Sequence, residues 1–117
     1  MIQHNLKELI KKNNIIYTVI ANMARGATES HGDLDKLEYS SIVNRLFGDK
    51  ESIENLFSSL EGQIMPRTWS QGRVKGIVCK PTNNVIVGLF YHEEDDDPVA
   101  SFRFSKDLNE TIEEIWK

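Results

Sequence analysis

Apolar positions in the first part of the chain recur at helical spacing. Leu6, Leu9, Ile10, Ile16, Val19, Ile20 and Met23 fall at three- and four-residue steps with Asn13 on the same stripe, which predicts one helix over about residues 3–25. Asn13-Asn14 is its weak point. The β-branched run Ile15, Ile16, Thr18, Val19 and Ile20 would also make a strand after a shorter first helix, so this stretch reads as helix or strand. Gly26 suits a left-handed helix cap, and Thr28, Ser30, His31, Gly32 and Asp33 follow as a polar connection. Leu34, Leu37, Ile42, Val43, Leu46 and Phe47 keep a helical period that stops at Gly48. Asp49 can cap the next helix, whose core face is Ile53, Leu56, Phe57 and Leu60, and Gly62 and Pro66 close this helical half.

Near Gly72 the period changes from helical to alternating. Residues 73–80, 85–92 and 99–104 are three short β-prone runs, separated by Pro81-Thr82-Asn83-Asn84 and by an acidic stretch ending in Pro98. The middle run is apolar on both faces and should be the central strand of an antiparallel meander. The third alternates, with Ala100, Phe102 and Phe104 on one face and Ser101 and Arg103 on the other, so it should be half exposed. Ser105 can cap a last helix striped by Leu108, Ile112 and Ile115. The expected architecture is therefore one α+β domain over residues 1–117, with a helical N-terminal half, a three-stranded antiparallel sheet and a C-terminal helix. Val85, Val87, Leu89, Phe90, Phe102, Ile112 and Ile115 are the expected core of its second half.

Composition narrows the class without naming an activity. With 117 residues, 39% hydrophobic and 27% charged, the chain has the make-up of a folded domain and lacks an apolar run long enough to span a bilayer. No apolar export segment follows Met1, and the single cysteine, Cys79, rules out an internal disulfide and any cysteine-based zinc site, so a cytoplasmic protein is expected. The net charge of −4 is unevenly spread. Residues 93–117 hold nine acidic residues against three basic ones, a balance of −6, which leaves +2 on the rest. Nucleic acid is a poor partner for such a chain and a basic protein surface a better one.

Five consecutive carboxylates, Glu93, Glu94, Asp95, Asp96 and Asp97, repel one another unless they are solvated, held by a cation or aimed at a basic surface. The loop lacks the spacing of a calcium-binding loop, and His4, His31 and His92 stand in no metal-ligand pattern, so neither metal nor cofactor is expected. Cys79 and His92 would sit on neighbouring strands, but a cysteine beside Ile77 and Val78 reads as a packed hydrophobe. Hydrolase, phosphate-loop and dinucleotide motifs are absent, and no turnover is expected. Arg67, Trp69, Arg73 and Lys75 interleave cations with an aromatic side chain near the junction of the two halves; Trp69 and Trp116 each read as core wedge or interface anchor.

In its small size, acidic end and Asn-, Ile- and Lys-rich make-up, the chain resembles the small acidic immunity proteins of bacterial toxin systems, including contact-dependent inhibition. That resemblance implies a binding protein that neutralises a cognate toxin domain, such as a nuclease, by direct complex formation. Glu93, Glu94, Asp95, Asp96, Asp97, Glu110, Glu113 and Glu114 would be the partner-binding residues. The chain also resembles a Roadblock-like module, in the helix ending near Gly62, the hairpin over residues 74–91, a third strand and a terminal helix. This alternative implies a dimeric scaffold for a GTPase or motor complex, and it requires Ile15 to Ala24 and Leu34 to Phe47 to supply a strand hairpin and a helix, whereas the second of these segments reads as helix.

Overall fold

The β-branched run after Asn14 forms a strand, and that one outcome reorganises the front of the molecule. A computed structural model describes every residue except Met1, Asp95 and Asp96. Helix α1 (Ile2–Lys12) is followed by strands β1 (Tyr17–Asn22) and β2 (Ala27–Gly32) and a 3-10 turn (Leu34–Lys36). Helices α2 (Ser41–Phe47) and α3 (Lys50–Ser59) come next, then strands β3 (Arg67–Gln71), β4 (Val74–Thr82) and β5 (Val85–His92), and finally helix α4 (Pro98–Ile115). The long first helix expected over residues 3–25 is thus broken in two. Both the backbone N–H and the side-chain amide of Asn13 donate to the Leu9 carbonyl, at 3.1 and 2.9 Å, and Asn14 turns away at φ +55°. Asparagine tolerates this left-handed conformation, so the weak point becomes the helix end.

The five strands form one antiparallel sheet in the order β2-β1-β5-β4-β3, correcting the expected three-stranded sheet. A hairpin, β1–β2, supplies two strands from segments whose pattern suggests helix and polar connection. Gly26, expected to cap a helix, takes its φ of +62° in the hairpin turn, where the Asn22 side chain accepts from the N–H groups of Ala24 and Arg25 at 3.1 and 3.2 Å. β1 lies against β5 in the register Tyr17 to Phe90 and Ala21 to Ile86, so β5 is the central strand, as its apolar faces require. The third expected strand, residues 99–104, is instead the first turns of α4. Asp97 accepts from the N–H groups of Val99 and Ala100, and Pro98 occupies the first helical position, where no donor is needed. Ser105 therefore lies inside the helix, its hydroxyl donating to the Phe102 carbonyl, and Phe102 is 65% exposed and outside the core.

Alternation along β5 feeds a core on each face of the sheet. Ile86 and Phe90 join Val19, Ala21, Val74 and Val78 under α2 and α3; Val85, Val87, Leu89 and Tyr91 join Ile20, Ile77 and Cys79 under α1 and α4. The Phe90 ring meets the Phe47 ring edge to face, with centroids 6.1 Å apart. Gly88 makes that stacking fit: a Cβ there would lie 2.5 Å from the Phe47 ring. Asp49 caps α3 as expected, accepting from the Ser52 N–H at 2.7 Å, and this hydrogen bond holds its carboxyl below the ordinary aspartate range. Among the described residues no helix is long and apolar enough to cross a membrane.

Candidate functional site

Strand β3 is where the sheet stays open beside a helix. Among the described residues it pairs only with β4, in the register Arg67 to Val78 and Gln71 to Val74, so its outer edge presents backbone donors and acceptors with no strand to receive them. Arg67, Trp69 and Gln71 share the face covered by α2 and α3. Trp69 is half-buried against that core, and Arg67 and Gln71 are exposed. The Ser41 hydroxyl donates to the Gln71 side-chain carbonyl, tying the start of α2 to the end of β3. Between them, Ser41, Ile42, Arg45, Ser70 and Gln71 line a cleft of about 180 Å³.

A charged clamp fixes the base of this edge. At the β3–β4 turn Gly72 has φ +58°, and a Cβ there would lie 2.8 Å from the Tyr39 ring, so a larger residue would be strained and would displace that ring. The next residue, Arg73, pairs with both Glu38 and Glu94. The Arg73 guanidinium holds the Glu38 carboxyl below the ordinary glutamate range, and Glu38 in turn pushes the Arg73 pKa up. The Glu38 N–H donates to Nε2 of His92 at 3.0 Å. Three segments far apart in sequence are thereby joined: the approach to α2, the β3–β4 turn and the end of β5.

The carboxylates expected to form one partner-binding patch are divided. Glu93 lies 3.4 Å from the Lys75 ammonium and Glu94 belongs to the Arg73 clamp, while Asp97 caps α4. Glu110, Glu113 and Glu114 sit in the last turns of α4. Glu113 accepts from the Asn109 amide at 2.9 Å and Glu114 pairs with Lys117 at 2.9 Å. At ~1.5 Å per helical residue the two groups are about 20 Å apart. Asp95 and Asp96 lie outside the described residues.

Cys79 and His92 are not brought together either. Cys79 pairs with Val87 and His92 with Val74 in the β4–β5 ladder, which puts them about 17 Å apart along the strands. Burial, with the Glu113 carboxylate adding to it, pushes the Cys79 thiol far up, so it stays protonated and packs as a small apolar group. Among the described residues no cluster of histidine, cysteine or carboxylate side chains has the geometry to hold a metal. Trp116 is partly buried against the α1 and α4 core. The cation and aromatic interleaving at residues 67–75 is visible in the sequence; Glu38, Tyr39 and Ser41, which complete the edge, carry no local signal.

No family model matches the sequence, and no curated protein matches it. Solved structures do match, over almost the whole chain. MglB of Myxococcus xanthus superposes with a TM-score of 0.59 at 12% identity, covering 98% of this chain and 94% of that one. MglC of Myxococcus xanthus gives 0.59 at 11% identity, covering 98% and 97%. The gliding protein MglB of Thermus thermophilus gives 0.56 at 13% identity, covering 97% and 87%. The Thermus thermophilus neighbour is a gliding protein and none of the three is a toxin-immunity protein, so the resemblance to toxin-immunity proteins is overturned, and with it the cognate toxin domain as partner. The front hairpin that the Roadblock-like alternative requires is β1–β2. What the chain shares with these proteins from end to end is the fold: a five-stranded antiparallel sheet with a helical layer on each face.

Proposed function

We propose that this protein is a non-enzymatic, cytoplasmic, Roadblock-like scaffold that dimerises through the β3 edge and α2 and presents the dimer to a small GTPase or a motor-complex subunit. The observation that carries this reading is the open β3 edge, held rigid by the Arg73 clamp and flanked by a half-buried Trp69. A second β3 running antiparallel would satisfy both rows of backbone groups and continue the sheet across the two copies. It would also bring α2 and Trp69 of each copy together over the seam, supplying the aromatic anchor that stable interfaces favour. The shared fold with MglB and MglC supports this arrangement over a free-standing monomer.

Sedimentation velocity tests the dimer. At the low concentrations of sedimentation velocity the wild type should sediment as a dimer, and Thr68→Lys combined with Ser70→Lys should shift it toward monomer with unchanged circular dichroism, because lysines on an edge strand oppose pairing; any weaker contact elsewhere on the surface shows only at higher concentration. Calorimetric titration of the dimer with purified small GTPases from the same organism, loaded with GDP or a GTP analogue, tests the partner. A wild-type monomer that binds none of them would overturn the scaffold reading.

A further inference from the structure

The outer face of α4 does not look like a solvated helix surface. Its inward side carries Phe104, Ser105, Leu108 and Ile112, and the side opposite carries Val99, Arg103, Lys106, Glu110 and Glu113 at alternating four- and three-residue steps. Two large apolar side chains stand out of the fold at its N-terminal end, Val99 at 58% and Phe102 at 65% exposed. The charges are sorted by half: Arg103 and Lys106 come first, then Asp107, Glu110, Glu113 and Glu114. At the N-terminus of α4 the Asp97 cap meets the helix's own field, and Arg103, Lys106 and Glu110 lie beyond the end turns where that field acts, so the sorting of charge is not set by the helix itself. Within the fold the Asp97 cap and the Lys117–Glu114 pair engage charge only at the two ends of the helix. Arg103, Lys106 and Glu110 form no ion pair or side-chain hydrogen bond with another described residue.

We infer that this face binds a second copy of itself, α4 against α4 in antiparallel orientation. Reversing one helix about a two-fold axis near its middle sets Arg103 opposite Glu113 of the second copy and Lys106 opposite Glu110, and the axis repeats both pairs. The charges sorted by half in one copy become complementary in two. The same axis keeps Phe102 and Val99 at the two ends of the helix pair, where each meets the aliphatic part of the last turn of the other copy. A parallel pairing would set like charge against like, so the surface selects one orientation. α4 covers the face of the sheet opposite to α2 and α3, so this contact leaves the β3 edge free and does not depend on it.

Charge reversal by halves tests the proposal in the full chain. Arg103→Glu with Lys106→Glu, and separately Glu110→Lys with Glu113→Lys, should each weaken the α4 contact at least tenfold in sedimentation equilibrium. The first should leave the melting temperature nearly unchanged, whereas the second also takes the Glu113 acceptor from the Asn109 amide and should lower it somewhat without loss of the fold. Mixing the two variants should restore association between them and not within either. Raising salt from 50 to 500 mM should weaken the wild-type contact, and Phe102→Ser should weaken it at either concentration. To separate this contact from the sheet seam, all measurements are repeated in the Thr68→Lys, Ser70→Lys background, where association through α4 should persist. The inference is overturned if that background is monomeric at the highest concentration reached, if neither reversal changes the association, or if the mixed variants do not associate.

Discussion

The two edges of the sheet are built to opposite ends. At β2 the outward chain is Ala27, Thr28, Glu29, Ser30, His31 and Gly32, with no large apolar side chain and five of its six residues exposed. Its charge is engaged at home: the Gln3 amide donates to the Glu29 carboxylate at 3.2 Å, and His31 lies 3.4 Å from the same group. At β3 a tryptophan lies on the strand, a helix flanks it and a charged clamp holds its turn. An exposed edge is a hazard wherever association is not wanted, and polar, locally satisfied residues reduce it. The difference makes β2 the guarded edge and β3 the open one, the edge proposed to receive a partner.

The largest effect should come from the guarded edge, and it should be one of folding alone. Gly32 ends β2 at φ +104°, and a Cβ there would lie 2.1 Å from the Ile16 carbonyl oxygen. Gly32→Ala should cost about 2–4 kcal/mol in denaturant melts, from backbone strain together with the displaced carbonyl. The oligomeric state of the folded fraction should not change, and a shift in it would show that β2 is an interface as well. Trp69→Ala should do the reverse. Loss of a central aromatic anchor should weaken dimerisation by about 2 kcal/mol, roughly thirtyfold, while the monomer keeps most of its stability. A Ser30→Lys variant that dissociated the dimer as readily as Ser70→Lys would erase the distinction between the edges.

The same contrast explains how much of the molecule is legible in its sequence. β4 and β5 are legible because β5 is apolar on both faces, β4 is β-prone, and Pro81-Thr82-Asn83-Asn84 separates them. Asp49 is legible because a capping carboxylate acts on its own neighbours. β1 is ambiguous, since Ile16, Val19, Ile20 and Met23 suit a helix as well as a strand, and what decides is the pairing of Tyr17 with Phe90, more than seventy residues away. β2 is invisible for the reason that it is a guarded edge: a polar strand has no alternation to show, and its conformation is inherited from β1. The start of α4 reads as a strand although Asp97-Pro98 is a helix-start signal, because the alternation of Ala100, Phe102 and Phe104 imitates one. At the site, Trp69 and Arg73 stand out locally, whereas the clamp joins Arg73 to Glu38 across 35 positions and no local pattern records it.

The smallest expected effect is electrostatic, and it tests whether the β3 edge is held by its clamp. The Glu38 carboxyl is depressed by its hydrogen bond to Arg73, so folding favours its ionised form. A depressed acid contributes stability above its unfolded pKa of 4.5, and the contribution is lost as pH falls through the lower folded value. Both partners are largely exposed, so the contribution is modest and weakens further with salt. Glu38→Gln should therefore lower the melting temperature by a few degrees at pH 7, and the gap to the wild type should close once the pH is well below 4.5. Because the clamp anchors the β3–β4 turn and not β2, the same variant should weaken dimerisation at pH 7 more than Glu29→Gln, which removes the charge held at the guarded edge. Equal effects of the two variants on dimerisation would show that the Arg73 clamp does not pre-organise the β3 edge.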